Sequence, residues 1–163
     1  MPKGTTFRND LLKLYFLGTA ISNVADNAAG SPFTSHTLAL HTADPGIGGS
    51  QSINETAYTG YSRQTVARSG AGWTVTGNRA NLAAAVLFPV CTASPGSPIT
   101  YWSISRGSGI IDYVGTLVTP ITMAVSVIPR LTTASEITEE GWGRKARPYW
   151  ISGPSLGSRM HLW

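Results

Sequence analysis

The chain has a single cysteine, Cys91, so it can form no internal disulfide framework and no multi-cysteine metal site. The thiol reads as a small buried apolar side chain. Charge is scarce as well, at 12% of the 163 residues, which leaves an unusually neutral surface. No apolar run approaches the roughly 18 residues needed for a membrane-spanning helix. Lys3, Arg8 and Lys13 lie near the start, but no continuous apolar stretch with a small-residue cleavage site follows them, so no secretory signal is expected. Asn54-Glu55-Thr56 has the form of a glycosylation sequon and, without such a signal, carries no weight. Fibrous repeats and heptads are also missing.

Glycine and proline are plentiful, at 18 and 10 residues. With many Ser and Thr they describe a turn-rich, all-β chain; a helical one would want Ala, Glu, Lys and Leu. The length and a hydrophobic content of 42% fit one domain with a real core plus an appendage. The expected division is an N-terminal helix and connection over 1–35, a β-sandwich over 36–140 and an extended arm over 141–163. Thr5 or Thr6 can cap a short helix, Phe7, Leu11, Leu14 and Tyr15 fall on one side of it, and Gly18 can end it. The polar, small-residue stretch 23–35 does not read as part of a βαβ unit, so the helix is expected to pack on the sheet as a lid or strap.

From His36 the apolar period becomes two, with Leu38 and Leu40 facing one way before the turn cluster Asp44-Pro45-Gly46. Further strands are expected at 61–67, 73–76, 81–88, 99–105, 110–118 and 121–128. The last rests on Ile121, Met123, Val125 and Val127 alternating with Thr122, Ala124 and Ser126. Seven or eight short antiparallel strands make a β-sandwich, with the jelly roll as one form it can take.

The charge is unevenly placed. All eight acidic residues precede Gly141, whereas four of the 12 basic ones follow it, so the formal +4 comes from Arg144, Lys145, Arg147 and Arg159. Gly141, Gly143, Gly153 and Gly157 with Pro148 and Pro154 forbid a long helix there. The same stretch holds Trp142, Tyr149, Trp150 and Trp163, the residue types that dominate interface energetics. A strap over its own domain, phosphate binding with stacked aromatics, and membrane contact are weaker readings than an arm laid on a neighbouring subunit. Nucleic acid is disfavoured by the low density of charge. The expected partner-binding residues are therefore Trp142, Arg144, Lys145, Arg147, Tyr149, Trp150, Arg159 and Trp163.

Catalytic chemistry is hard to find. His36 and His41 are five residues apart on one strand and point to opposite faces, so they cannot share a metal, and His161 lies in the arm. His41, Asp44 and Cys91 could be drawn as a nucleophilic set, but no glycine elbow or orienting carboxylate surrounds Cys91. Adjacent carboxylates such as Glu139-Glu140 diverge on an extended chain and do not form an acid and base couple. Gly46-Ile47-Gly48-Gly49 lacks the Lys and the following helix of a phosphate loop. No enzyme activity, cofactor, metal or small-molecule substrate is expected.

Several stretches carry a resemblance. Leu38-Ala39-Leu40-His41-Thr42-Ala43-Asp44-Pro45-Gly46, Tyr61 with Arg63-Gln64, Phe88-Pro89, Thr100-Tyr101-Trp102-Ser103-Ile104 and Gly115-Thr116-Leu117, with the Phe7 to Phe16 helix, resemble a family of small tailed-bacteriophage virion proteins. Its members are labelled tail fibre, head fibre or capsid decoration proteins. The resemblance spans residues 7–137 and implies a β-sandwich virion component; it brings no catalytic residues. Members of that family stop near the last strand, and this chain continues into its basic arm. The expected role is a minor capsid protein, a cement or decoration subunit, assembled into the virion in the host cytoplasm. It would bind the outside of the head and staple neighbouring major capsid proteins, or copies of itself as dimers or trimers. The alternative is a tail or baseplate fibre subunit for host attachment, with Tyr58, Tyr61, Tyr101 and Trp102 facing glycans. A hydrolytic β-sandwich would need a carboxylate pair across a cleft.

Overall fold

A computed structural model describes residues 5–21, 33–107 and 109–139; the arm at 141–163, with every partner-binding residue expected there, lies outside them. Helix α1 (Thr5–Leu12) runs into a π-turn over Lys13–Leu17. It stops at Gly18, whose φ of 71° is left-handed and whose N–H bonds the Lys13 carbonyl. Leu12 and Phe16, four residues apart on one face, are the buried residues, with Tyr15 and Leu17 packed beside them, and Phe7, expected on the buried side, is 40% exposed. Arg68 ties off the helix end: its Nε donates to the Tyr15 carbonyl at 2.9 Å and its Nη2 to that of Leu14 at 2.6 Å. The same guanidinium lies 4.3 Å from the centre of the Phe33 ring.

The strands are β1 (Ser35–His41), β2 (Gln64–Ala67), β3 (Trp73–Thr76), β4 (Arg79–Leu82), β5 (Val86–Leu87), β6 (Ile99–Ser105), β7 (Tyr113–Ile121), β8 (Arg130–Leu131) and β9 (Glu136–Thr138). All pair antiparallel, in a four-stranded sheet ordered β2-β1-β6-β7, a three-stranded sheet ordered β3-β4-β9, and the short ribbon β5-β8. The fold is all-β and sandwich-like. Leu38, Leu40, Trp102 and Ile104 from the larger sheet share one core with Trp73, Ala80, Leu82 and Ile137 from the smaller one and with Leu12 and Phe16 from the helix. β1 sits between two partners and is buried on both faces. His36, Leu38 and Leu40 alternate with Ala39 and His41, and the second set lies on the face that carries Ser103 of β6.

Two expected strands are drawn differently. The stretch 81–88 divides into the end of β4 and the separate β5: the Ala83 N–H still bonds the Gly72 carbonyl at 2.9 Å, in register with the β3–β4 ladder, and the chain bends at 83–84 before β5 begins. Alanines at 83–85 resist this only weakly, being poor strand formers. The alternation over 121–128 does not make a strand. β7 ends at Ile121, and the next residues turn, with Val127 N–H on the Ala124 carbonyl at 3.1 Å and Ser126 at a φ of 71°. Ser126 and Val127 exchange bonds with Cys91 at 2.8 and 2.9 Å, so this segment closes the end of the core. Pro120 falls within β7, which is tolerable because β7 is an edge strand. Opposite it the register breaks: two steps along β6, from Ile99 to Tyr101, face the longer passage from Ile121 to Thr116.

Candidate functional site

The corner after β1 is built by short polar side chains. Asp44 Oδ1 accepts the Gly46 N–H at 2.8 Å, closing the Pro-Gly turn as its sequence suggests. Asn54 Nδ2 donates to the Asp44 carbonyl at 2.8 Å, and the Asn54 carbonyl accepts the Thr42 N–H at 2.9 Å. These bonds fold the loop that follows the turn back over the outer face of β1 and β6. There His41 Nδ1, as the N–H tautomer, donates to the Ile53 carbonyl at 2.9 Å, leaving Nε2 to accept the Ser103 hydroxyl at 2.7 Å. Gln51 Nε2 donates to the Thr37 carbonyl at 2.9 Å and reaches Ser103 at 3.3 Å. Burial pushes the His41 pKa below its ordinary value, with the Ile53 carbonyl pulling the other way.

A serine hydroxyl on a histidine nitrogen is the start of a nucleophilic relay, but His41, Ser103 and Gln51 are all fully buried. No substrate can reach Ser103, so the pair works as a satisfied internal network. The network continues outward. Glu55 takes Arg63 in a two-point pair at 2.7 Å on each oxygen, accepts the Tyr61 hydroxyl at 2.9 Å, and Tyr61 in turn accepts the Leu40 N–H at 3.1 Å. Burial, then Glu55, drives the Tyr61 phenol pKa well above its ordinary value.

Under the helix lies a second cluster. Trp73 Nε1 donates to His36 Nδ1 at 3.0 Å, and the His36 ring is within 5.4 Å of Tyr15, Phe16, Phe33 and Trp73, centre to centre. Burial lowers the His36 pKa to about 4; the Tyr15 carbonyl opposes this but does not reach hydrogen-bond geometry on Nε2. Tyr15 donates to Asp112 Oδ2 at 2.7 Å, and Asp112 is held by Arg106 at 3.1 Å, which bolts the helix to the β6–β7 loop.

Between the two sheets an open groove remains. Its deeper part, a cavity of about 180 Å³, is lined by Trp102 and Ile104 of β6, Val114 and Gly115 of β7, and Glu136 and Ile137 of β9. A second, neighbouring cavity of about 530 Å³ shares Trp102 and Glu136 with it and lies between Leu117 to Ile121 and Arg130 to Glu136. Gly115 makes room for the groove's floor: a Cβ there would stand 3.1 Å from Trp102 Nε1. The composition gave no sign of this groove beyond Gly115 opposite an aromatic strand.

The sequence-derived candidates separate cleanly. His41, Asp44 and Cys91 do not form a set: Asp44 serves its turn, His41 its network, and the Cys91 thiol donates to the Ala93 carbonyl at 2.8 Å. Of the aromatics assigned to glycan contact, Tyr58 is enclosed, Trp102 is 7% exposed at the floor of the groove, the Tyr61 hydroxyl is engaged internally, and Tyr101 is half-buried. Tyr58 donates to the Pro89 carbonyl at 2.8 Å. Glu139 lies at the end of β9, and Glu140 lies outside the described residues.

The architecture is thus an all-β, sandwich-like module with a buried His41–Ser103–Gln51 network and an apolar groove between its sheets. The chain belongs to the family described as podophage GP4 fiber I protein gp80, whose model matches residues 4–135. It is thus a member of a tailed-phage virion protein family. No curated protein matches it.

Proposed function

We propose that the chain is a structural fibre subunit of a tailed-phage particle, held in its assembly by the arm at 141–163. The observation that carries this reading is the family match itself, whose description names a fibre protein. The sealed His41–Ser103–Gln51 network agrees with a non-enzymatic role, because the nucleophile-like pair has no path to solvent. The matched stretch ends at residue 135, so the arm lies outside the part of the chain that the family model covers. Trp142, Tyr149, Trp150 and Trp163 would anchor in pockets of the neighbour, and Arg144, Lys145, Arg147 and Arg159 would pair with its carboxylates.

That same arm favours a second reading, a cement subunit that staples major capsid proteins on the head. Phage carrying the chain cut after Glu140 tests both. Particles that lose the shortened protein while it still folds agree with attachment through the arm. Particles that keep it at full occupancy would remove the arm from the account.

A further inference from the structure

Along one side of the sandwich the sheets do not meet. β7 is the last strand of the larger sheet and β9 the last of the smaller, and among the described residues neither has a strand on its outer edge. The groove over Trp102, Ile104 and Ile137 lies between these two edges. Two unpaired backbones flanking an apolar floor are the setting for an added strand, with main-chain bonds supplying affinity and the floor supplying side-chain specificity.

We propose that this groove receives residues 149–152 of the C-terminal arm of a second copy of this chain. The inference rests on the reading of the arm as an attachment segment. Tyr149-Trp150-Ile151-Ser152 is an apolar run bounded by Pro148 and Gly153, the pattern of a short strand with its limits marked. Trp150 on the inward side meets Trp102 and Ile137, and the preceding Arg147 comes near Glu136 at the rim.

The exit of the chain and the reach of its arm favour a second copy. Glu139 is fixed at one end of the groove: its N–H donates to the Asn78 carbonyl at 3.0 Å, its carbonyl accepts Arg8 and Asn78 at 3.2 Å, and Tyr113 donates to its carboxylate at 3.4 Å. To pair directly on the free edge of its own β9 the chain must reverse at once. A two-residue reversal at Glu140-Gly141 pairs Thr138 with Gly143, Ile137 with Arg144 and Glu136 with Lys145. Opposite residues project to the same face, so the Arg144 guanidinium would be driven inward beside buried Ile137. A neighbour's arm carries no such register constraint. From Glu139 to Tyr149 an extended chain reaches about 33 Å, beyond the roughly 15 Å radius of gyration of a domain this size.

The test uses full-length chains purified on their own. One population carries Leu117→Cys, which lies two residues from Gly115 on the groove side of β7, and another Ser152→Cys in the arm; native Cys91 is buried. After mixing and mild oxidation, a two-chain disulfide species is expected at least tenfold above that from Leu117→Cys mixed with unmodified chain. Leu117→Arg, which crowds the groove, should lower the self-association seen by sedimentation at least tenfold. A crosslink that forms only within single chains carrying both substitutions overturns the proposal, as does no crosslink together with unchanged self-association. Either failure leaves the fibre reading intact, since that reading is judged on particles.

Discussion

Phe16→Ala tests whether the helix is part of the core or a detachable strap. The Phe16 ring is fully buried, and its centre lies 4.5 Å from that of Trp73, 4.8 Å from Tyr15, 5.2 Å from His36 and 5.6 Å from Tyr113. Truncating a core phenylalanine costs about 3–5 kcal/mol, because the transfer term is joined by a cavity that its rigid neighbours cannot collapse into. Aromatic pairs add about 0.5–1.5 kcal/mol each when they are lost, so the upper half of that range is expected. For a chain of this length each kcal/mol moves Tm by about 2–4 °C, and the variant should melt roughly 10 °C lower. Phe7→Ala on the same helix, at 40% exposure, should lose less than about 1 kcal/mol. Thermal unfolding followed by circular dichroism reads both. Equal melting temperatures for the two variants would refute the packing argument.

Three other perturbations follow from the same contacts. His36 resists protonation to about pH 4 when folded but titrates near 6.5 when unfolded; stability is complete above that upper value and falls with pH between the two, by up to about 1.4 kcal/mol per pH unit. His41 is depressed in the same direction, so His36→Gln should flatten the slope of stability against pH without abolishing it; an unchanged slope would remove His36 from the account. Glu55→Gln and Arg63→Ala should each cost about 1–3 kcal/mol and combine non-additively in a double-mutant cycle by more than about 0.5 kcal/mol, whereas strict additivity in urea unfolding would mean the pair is not coupled. Gly115→Val should displace the Trp102 indole and lower stability by about 1–3 kcal/mol, and an unchanged denaturation midpoint would mean the close approach is not real.

The class of fold was legible because period-two runs and turn residues are local signals. Leu38 and Leu40 face one core together, and Asp44 closes the turn that its place before Pro-Gly requires. What the pattern could not supply was competition between distant groups. The alternation at 121–128 was genuine, yet Ser126 and Val127 bond Cys91, and a turn took the place of a strand. The buried positions are Leu12 and Phe16, each one residue on from the expected Leu11 and Tyr15, a difference of phase that the few apolar residues of so short a helix do not resolve. β9 is only three residues long and is defined by its partner β4, so its own sequence gave little warning. The network around His41 draws on residues from 37 to 103, a convergence that spacing along one strand cannot express. Both the groove and its Trp102 floor are properties of two sheets failing to meet, and no single segment encodes them.

The most direct test of the structural fibre assignment is the copy number and location of the chain in purified particles, measured by quantitative mass spectrometry of separated heads and tails against the major capsid protein. The account predicts a few to a few tens of copies per particle that partition with the fibre-bearing fraction. Copies approaching those of the major capsid protein and retained on isolated heads would contradict the fibre assignment and establish the cement role instead.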